Sequence, residues 1–140
     1  VNLGMFAVSS QWSRFTDLSD LFDGEERKHG IHAGEVETSV LRYLHPELVD
    51  MQYAEDFVPL SKQLEKEYDM LMTEGGAVGF GWQSQDIHPS GACGNAAAAD
   101  AERGRITVER ASDRLIKLIG EIAHYPLDRI TSETMYTKGK

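Results

Sequence analysis

The sequence is poor in cysteine and proline and contains no long apolar run. One of its 140 residues is cysteine and four are proline, so Cys93 cannot form a disulfide within the chain. No stretch of about 18 apolar residues is present, which a helix would need to span a bilayer. These absences argue against a disulfide-rich secreted scaffold. They predict a soluble, cytoplasmic protein without a membrane partner.

Positive charge is also scarce. The chain carries 14 lysines and arginines against 23 aspartates and glutamates, which gives a formal net charge of -9. A nucleic-acid backbone would be repelled over most of such a surface, because binding it requires a basic footprint. We therefore expect no nucleic-acid partner. A length of 140 residues and a hydrophobic content of 41% suit one domain with a single core.

The first residues form a compact apolar run. The chain opens at Val1 and its next apolar residues are Leu3, Met5, Phe6, Ala7 and Val8. Because the run does not alternate, it predicts a buried strand of the parallel type. Sheets rarely begin so abruptly. We therefore expect the natural polypeptide to extend further toward its N-terminus, or this chain to be one piece of a larger assembly.

Apolar periodicity predicts one short and one long helix. Between Glu37 and Leu44 the apolar residues recur at helical spacing, and Pro46 prevents a long extension. The long helix extends from about Asp100 to Tyr125, where Pro126 ends it. Gly104 within this helix would permit close packing against a sheet.

The remaining segments give weaker patterns. Residues 11–31 are rich in turn and charge signals and predict a long loop with one helical turn. Residues 60–74 predict a helix followed by a strand. The glycine-rich residues 75–82 predict either the second half of a hairpin or a strand that another backbone can approach closely.

The segment GIHAGEVETS, residues 30–39, concentrates the polar chemistry. Gly30 and Gly34 let the backbone bend around His32 and could bring its imidazole into a cleft. An imidazole beside a carboxylate is a common general acid or base, because the carboxylate fixes the tautomer and raises the pKa. Alternatively, Glu35 and Glu37 could simply favour the positive end of the following helix. The residues alone leave both interpretations open.

A metal site is a third interpretation of this segment. His29, His32 and Glu35 follow one another at intervals of three residues, and these side chains suit Zn²⁺ or Mn²⁺. The two glycines argue against a continuous helix here, and without a helix this spacing loses its geometric meaning. We therefore do not expect a complete metal site within these residues.

The segment GIHAGEVETSVLRYLHPELVDM resembles part of the creatininase (creatinine amidohydrolase) family. Members of that family carry a close variant of H-[AG]-G-x-x-E-T-S, followed by a helix and a P-[ED]-L-V turn. Three further segments are similar to family features: VSSQWSRF to a strand end with a pocket tryptophan, GFGWQSQDIHPSGACGNA to a glycine-rich loop, and AERGRITVERASDRLIKLI to the C-terminal helix. They follow the family's order and cover nearly the whole chain.

The resemblance implies a fold and a domain division. The expected fold class is α/β, as part of a three-layer sandwich with a mainly parallel sheet and a long C-terminal helix. Residues 1–128 would be the C-terminal portion of a single creatininase-like domain, and residues 129–140 would be a polar tail.

The resemblance also implies an activity and roles for four residues. The expected reaction is metal-dependent hydrolysis of a C–N bond in a small amide or cyclic amide. His32 stands at the position of the acid/base histidine, and Glu37, the second catalytic residue, would orient His32 or a neighbouring loop. Trp12 and Glu35 would bind substrate. Purely structural roles remain open for Glu37 and for Trp12, which could be a core tryptophan.

Two departures from the family pattern matter. The family's metal-binding segments, of the types G-[ST]-x-E-x-H and G-H-x-E-N, do not occur here. The divalent metal, expected to be two ions of Zn or Mn, would therefore be bound mainly by an N-terminal portion or companion chain. We also expect a homo-oligomer.

The second departure concerns the substrate. Residues 28–31, KHGI, lack the tryptophan and the acidic residue that precede the histidine in creatininase. Creatinine itself is therefore in question as the substrate. The competing hypothesis is a non-catalytic half-domain that acts as an interaction or structural module.

Overall fold

A computed structural model describes residues 5–14, 16–73, 78–131 and 136. The chain forms two compact units, one comprising Val1–Thr16 with Arg110–Lys140 and the other Asp17–Glu109. Within the described residues the α-helices are α1 (Gly24–His29), α2 (Glu35–Leu44), α3 (Ser61–Glu67), α4 (Ser84–Ile87) and α5 (Ala101–Ala123). The strands are β1 (Asp56–Phe57), β2 (Leu71–Met72), β3 (Val78–Gly79) and β4 (Gly94–Asn95). The division into one domain and a tail at residue 128 stays a prediction.

The described strands form two small sheets. β1 pairs with β4 in antiparallel register, with Asp56 opposite Asn95, and β2 pairs with β3 in parallel register, with Leu71 opposite Val78. The mixed α/β class and the long helix α5 agree with expectation. The mainly parallel sheet of a three-layer sandwich is not confirmed, because these two-residue strands form no wide sheet.

The strand predicted over Leu3–Val8 is not formed by residues 5–8, the part of it that the structure describes. Residues 5–8 have no regular secondary structure, and Met5 and Val8 are exposed. Leu3 and Gly4 lie outside the described residues. An apolar pattern indicates a preference for burial but does not ensure a pairing strand, and no described strand pairs with residues 5–8.

Helices α2 and α5 come close together at Gly104. A Cβ atom built on Gly104 would lie under 3.0 Å from the carbonyl oxygen of Ser39 in α2. Ser39 is fully buried, and its hydroxyl accepts a hydrogen bond of 2.9 Å from the backbone N–H of Asp100. Gly104 therefore permits close packing against a helix, not against a sheet as the sequence suggested.

Asp100 caps the start of α5. Its Oδ1 accepts the backbone N–H groups of Glu102 and Arg103 at 2.6 and 3.0 Å, and these hydrogen bonds lower the pKa of the Asp100 carboxyl. Because this pKa is lowered, the ionised Asp100 cap stabilises the folded protein at pH values above the ordinary pKa of 3.8. That stabilisation is lost as the pH falls below 3.8.

Asp100→Ala should therefore cost about 1 kcal/mol of unfolding free energy at neutral pH. The difference from the wild type should shrink as the pH falls below 3.8. Urea unfolding at several pH values would measure it. Asp100→Asn is the matched control, since asparagine caps about equally well without a charge. A cost for Asp100→Ala that stays constant with pH would contradict this role.

Candidate functional site

His32 lies at an antiparallel bridge between two loop segments. The backbone N–H of His32 donates to the carbonyl oxygen of Cys93 at 3.3 Å, and the N–H of Cys93 donates to the carbonyl oxygen of His32 at 2.6 Å. The His32 side chain is 58% exposed. The backbone is thus fixed while the imidazole remains open to a ligand.

Glu37 contacts both His32 and the turn that follows it. Its Oε2 accepts the backbone N–H of Ala33 at 2.6 Å and lies 3.7 Å from Nδ1 of His32. Ala33 has φ of +52°, the left-handed region that costs a residue with a Cβ about 1 kcal/mol. The hydroxyl of Thr38 donates to the Ala33 carbonyl at 3.2 Å. Glu37 is therefore placed to hold the turn and to face one nitrogen of the imidazole.

Glu35 points away from solvent. Its side chain is 8% exposed and forms an ion pair with Arg103 of α5. Burial raises the pKa of the Glu35 carboxyl, and the hydrogen bond from Arg103 opposes that shift. Arg103 also donates to the carbonyl oxygen of Leu21 at 3.1 Å and lies over the ring of Phe22. Substrate binding by Glu35 stays a prediction, and these contacts favour a structural role instead.

Glu26 also belongs to this site, although the charge pattern of the sequence does not indicate it. This residue is 7% exposed, and its carboxylate accepts the backbone N–H groups of Glu35 at 2.6 Å and Asn95 at 2.9 Å. The sequence signal for it is the pair Gly30 and Gly34, which do more than let the backbone bend. Both glycines also leave room for the Glu26 carboxylate.

His29 is occupied by contacts with α3. It is nearly fully buried, with Nδ1 at 2.9 Å from the Ser61 hydroxyl and Nε2 at 2.9 Å from Oε2 of Glu65. A hydrogen bond from Lys28 is the main cause that lowers the pKa of the Glu65 carboxyl. His29 therefore ties α1 to α3.

The candidate metal ligands do not converge. His29 faces α3, Glu35 faces Arg103, and His32 is exposed beside Glu37. Across the described ranges, no group of three or more His, Cys, Asp or Glu residues could hold a metal ion. The described residues thus do not fit a metal site of their own.

Trp12 lies in the other unit from His32. It begins a 3₁₀ helix, Trp12–Arg14, and its carbonyl oxygen accepts a hydrogen bond of 3.5 Å from the Thr16 hydroxyl. Its side chain is 40% exposed, so it is not a core tryptophan in the usual sense. Its place in a substrate pocket stays a prediction.

Comparison with known proteins then identifies the family. A family model described as creatinine amidohydrolase (Creatininase) matches residues 2–119. The chain belongs to the creatininase family. The family resemblance of the sequence is thereby confirmed. Members of the creatininase family are generally metal-dependent, a property that the described residues do not explain by themselves.

A solved creatininase-type structure supports the same conclusion. The chain is similar to the crystal structure of a "putative creatinine amidohydrolase" from Bacteroides fragilis, with 26% identity and a TM-score of 0.64. The similarity covers 84% of this chain and 43% of that one, so this chain spans less than half of that structure's length. No curated protein matches the chain.

Among the described residues, no helix is long and apolar enough to cross a membrane.

Proposed function

We propose that this chain is part of a creatininase-type amidohydrolase that cleaves a C–N bond of a small amide or cyclic amide. The observation that carries the proposal is the exposed imidazole of His32, fixed at its backbone by the Cys93 bridge and faced by Glu37. Membership of the creatininase family supplies the reaction class. The printed name of the Bacteroides fragilis protein points to the same class.

In this proposal His32 transfers a proton at the substrate nitrogen. Hydrolysis adds the oxygen of water to the carbonyl carbon and breaks the C–N bond, and the nitrogen leaves with a proton. Glu37 faces Nδ1 of His32, so the other ring nitrogen, Nε2, would give that proton. An acid/base group held in this way contributes by orientation as well as by protonation state.

The divalent metal of the proposed enzyme lies outside the described residues. We place its ligands in an N-terminal portion of the fold or in a companion chain, because the histidines and carboxylates described here do not converge. Two Zn or Mn ions and assembly as a homo-oligomer are part of the same proposal. The metal would supply activated water when it is bound.

An assay in isotopically labelled water tests the reaction class. The whole-length protein, supplied with Zn²⁺ or Mn²⁺, is incubated with a panel of cyclic and linear amides. Hydrolysis places one labelled oxygen atom in the new carboxyl group, and mass spectrometry detects it. A folded, metal-supplied protein that hydrolyses no member of the panel would favour the competing hypothesis of a non-catalytic module.

Replacement of Trp12 tests its proposed contact with substrate. Trp12→Phe should change KM several-fold but leave the melting temperature nearly unchanged, because a 40% exposed side chain contributes little to a core. Steady-state kinetics and thermal melts measure the two effects. Trp82→Phe is the matched control. It removes the 2.9 Å hydrogen bond from Nε1 to the Thr73 carbonyl and should lower stability at unchanged KM. A large fall in melting temperature for Trp12→Phe at constant KM would contradict the pocket role.

A further inference from the structure

We propose that Glu26 is a positioning residue for His32, whose one buried carboxylate fixes both chain segments of the His32–Cys93 bridge. This inference rests on the proposed function, since it concerns the placement of the acid/base group. Glu26 does not touch the imidazole. It lies in α1, outside the GIHAGEVETS segment, and acts through the backbone.

The two oxygens of Glu26 bind to the two sides of the bridge. Oε1 accepts the backbone N–H of Glu35, three residues after His32. Oε2 accepts the backbone N–H of Asn95, two residues after Cys93. The carboxylate is thus a crosslink between the end of the His32 turn and strand β4. A shift of either segment would break one of these hydrogen bonds.

Three glycines surround this carboxylate. A Cβ atom built on Gly30, Gly34 or Gly94 would lie under 3.0 Å from Oε1 of Glu26, a distance that real Cβ atoms essentially never show. Gly94 also has a φ of +137°, a backbone conformation that residues with a side chain rarely adopt. Gly30 and Gly34 flank the His32 turn, so the backbone on both sides of His32 packs directly on the carboxylate. The space between these three glycines is therefore filled by the Glu26 carboxylate, which links the His32 turn to β4.

The chemistry requires a carboxylate at this position. Both of its oxygens accept backbone N–H groups, whereas the amide of glutamine has one acceptor oxygen and one NH₂ donor. In Glu26→Gln, one backbone N–H would face a second donor in a buried site and lose its partner. Either the Glu35 side or the Asn95 side of the bridge would be released. The shape of the side chain would change little, so the defect is one of hydrogen bonding.

The relation to His32 is local. His32 and Cys93 exchange two backbone hydrogen bonds, at 3.3 and 2.6 Å. Glu37 contacts His32 from the first turn of α2, whose first residue is the Glu35 held by Glu26. Release of that helix end would move Glu37 and the imidazole together. Small misplacements of a catalytic group reduce the rate strongly while leaving binding contacts elsewhere intact.

Glu26→Gln in the whole-length protein tests the inference, with Glu25→Gln as the matched control. Glu25 lies next to Glu26 in α1, but its side chain is exposed and contacts only Lys62 among the ion pairs described. Well below the melting temperature, Glu26→Gln should lower kcat by roughly 10- to 100-fold and change KM by less than about twofold. Hydrogen exchange should quicken in peptides covering 30–37 and 93–95. Glu25→Gln should change none of these quantities.

Several results would overturn the inference. A kcat within twofold of the wild type, with faster exchange, would show that Glu26 is merely structural. Unchanged exchange in both peptides would show that Glu26 does not hold the bridge. If Glu26→Gln fails to fold, Glu26→Asp replaces it, because the shorter carboxylate can reach only one N–H and should give an intermediate loss of kcat. Failure of the proposed function is seen separately, as a wild type that hydrolyses no amide, and the exchange measurement still decides whether Glu26 holds the bridge.

Discussion

Replacement of His32 by alanine should lower kcat of the whole-length protein by about 10²- to 10⁴-fold, the usual contribution of a general acid or base. The imidazole is 58% exposed and faces Glu37 through Nδ1, so its removal deletes the proton donor without opening a buried cavity. The melting temperature should therefore change little. Steady-state kinetics on an amide substrate, beside a thermal melt, measure both quantities.

His45→Ala is the matched control for this variant. His45 is another exposed histidine of the same unit, and its Nδ1 lies 3.1 Å from Oε1 of Glu47. Its replacement removes an exposed contact with Glu47, which contributes little to stability, and should leave kcat unchanged. A His32→Ala protein with kcat within threefold of the wild type would remove His32 from the proposed mechanism.

Gly104→Ala should destabilise the protein by roughly 3 kcal/mol, at the upper end of the usual cost of overpacking. The new methyl group would meet the backbone carbonyl of Ser39, not the movable end of a side chain. Helix α5 would have to move away from α2, and the hydrogen bond between the Ser39 hydroxyl and the Asp100 N–H would be strained. Chemical unfolding of the variant and the wild type gives the difference in free energy.

Gly120→Ala provides the control in the same helix. A Cβ atom on Gly120 would meet none of the described residues within 4 Å. Because alanine favours a helix over glycine, Gly120→Ala should stabilise the protein by about 0.5 to 1 kcal/mol. Equal effects of the two substitutions would show that α2 and α5 do not pack closely at Gly104.

The helices could be predicted from the sequence because their signals are local. The apolar spacing and Pro46 give the end of α2, and Pro126 limits the long helix, which ends at Ala123. The sheet arrangement could not be predicted in this way. Strand pairing depends on residues far apart in the chain, such as Asp56 and Asn95, and an apolar run such as residues 5–8 carries no information about its partner.

The candidate site was only partly predictable for a related reason. His32 and Glu37 lie five residues apart, and the structure places them in contact. The partners of Glu35 and His29, by contrast, are Arg103 and Ser61, which lie far along the chain. Burial of a charged residue such as Glu26 is invisible in a charge pattern, because an exposed neighbour such as Glu25 looks the same. In the sequence, only the glycines that pack against the Glu26 carboxylate indicate that this residue is buried.

Metal analysis of the His32→Ala variant is the most direct test of the central claim, which is that His32 transfers protons while the metal is held elsewhere. The whole-length wild type and variant would be purified in parallel, loaded with Zn²⁺ or Mn²⁺, and analysed for bound metal per chain and for kcat. We expect the same metal content in both proteins and a kcat lower by about 10²-fold or more in the variant. Loss of metal together with activity would contradict the claim, because it would make His32 a metal ligand.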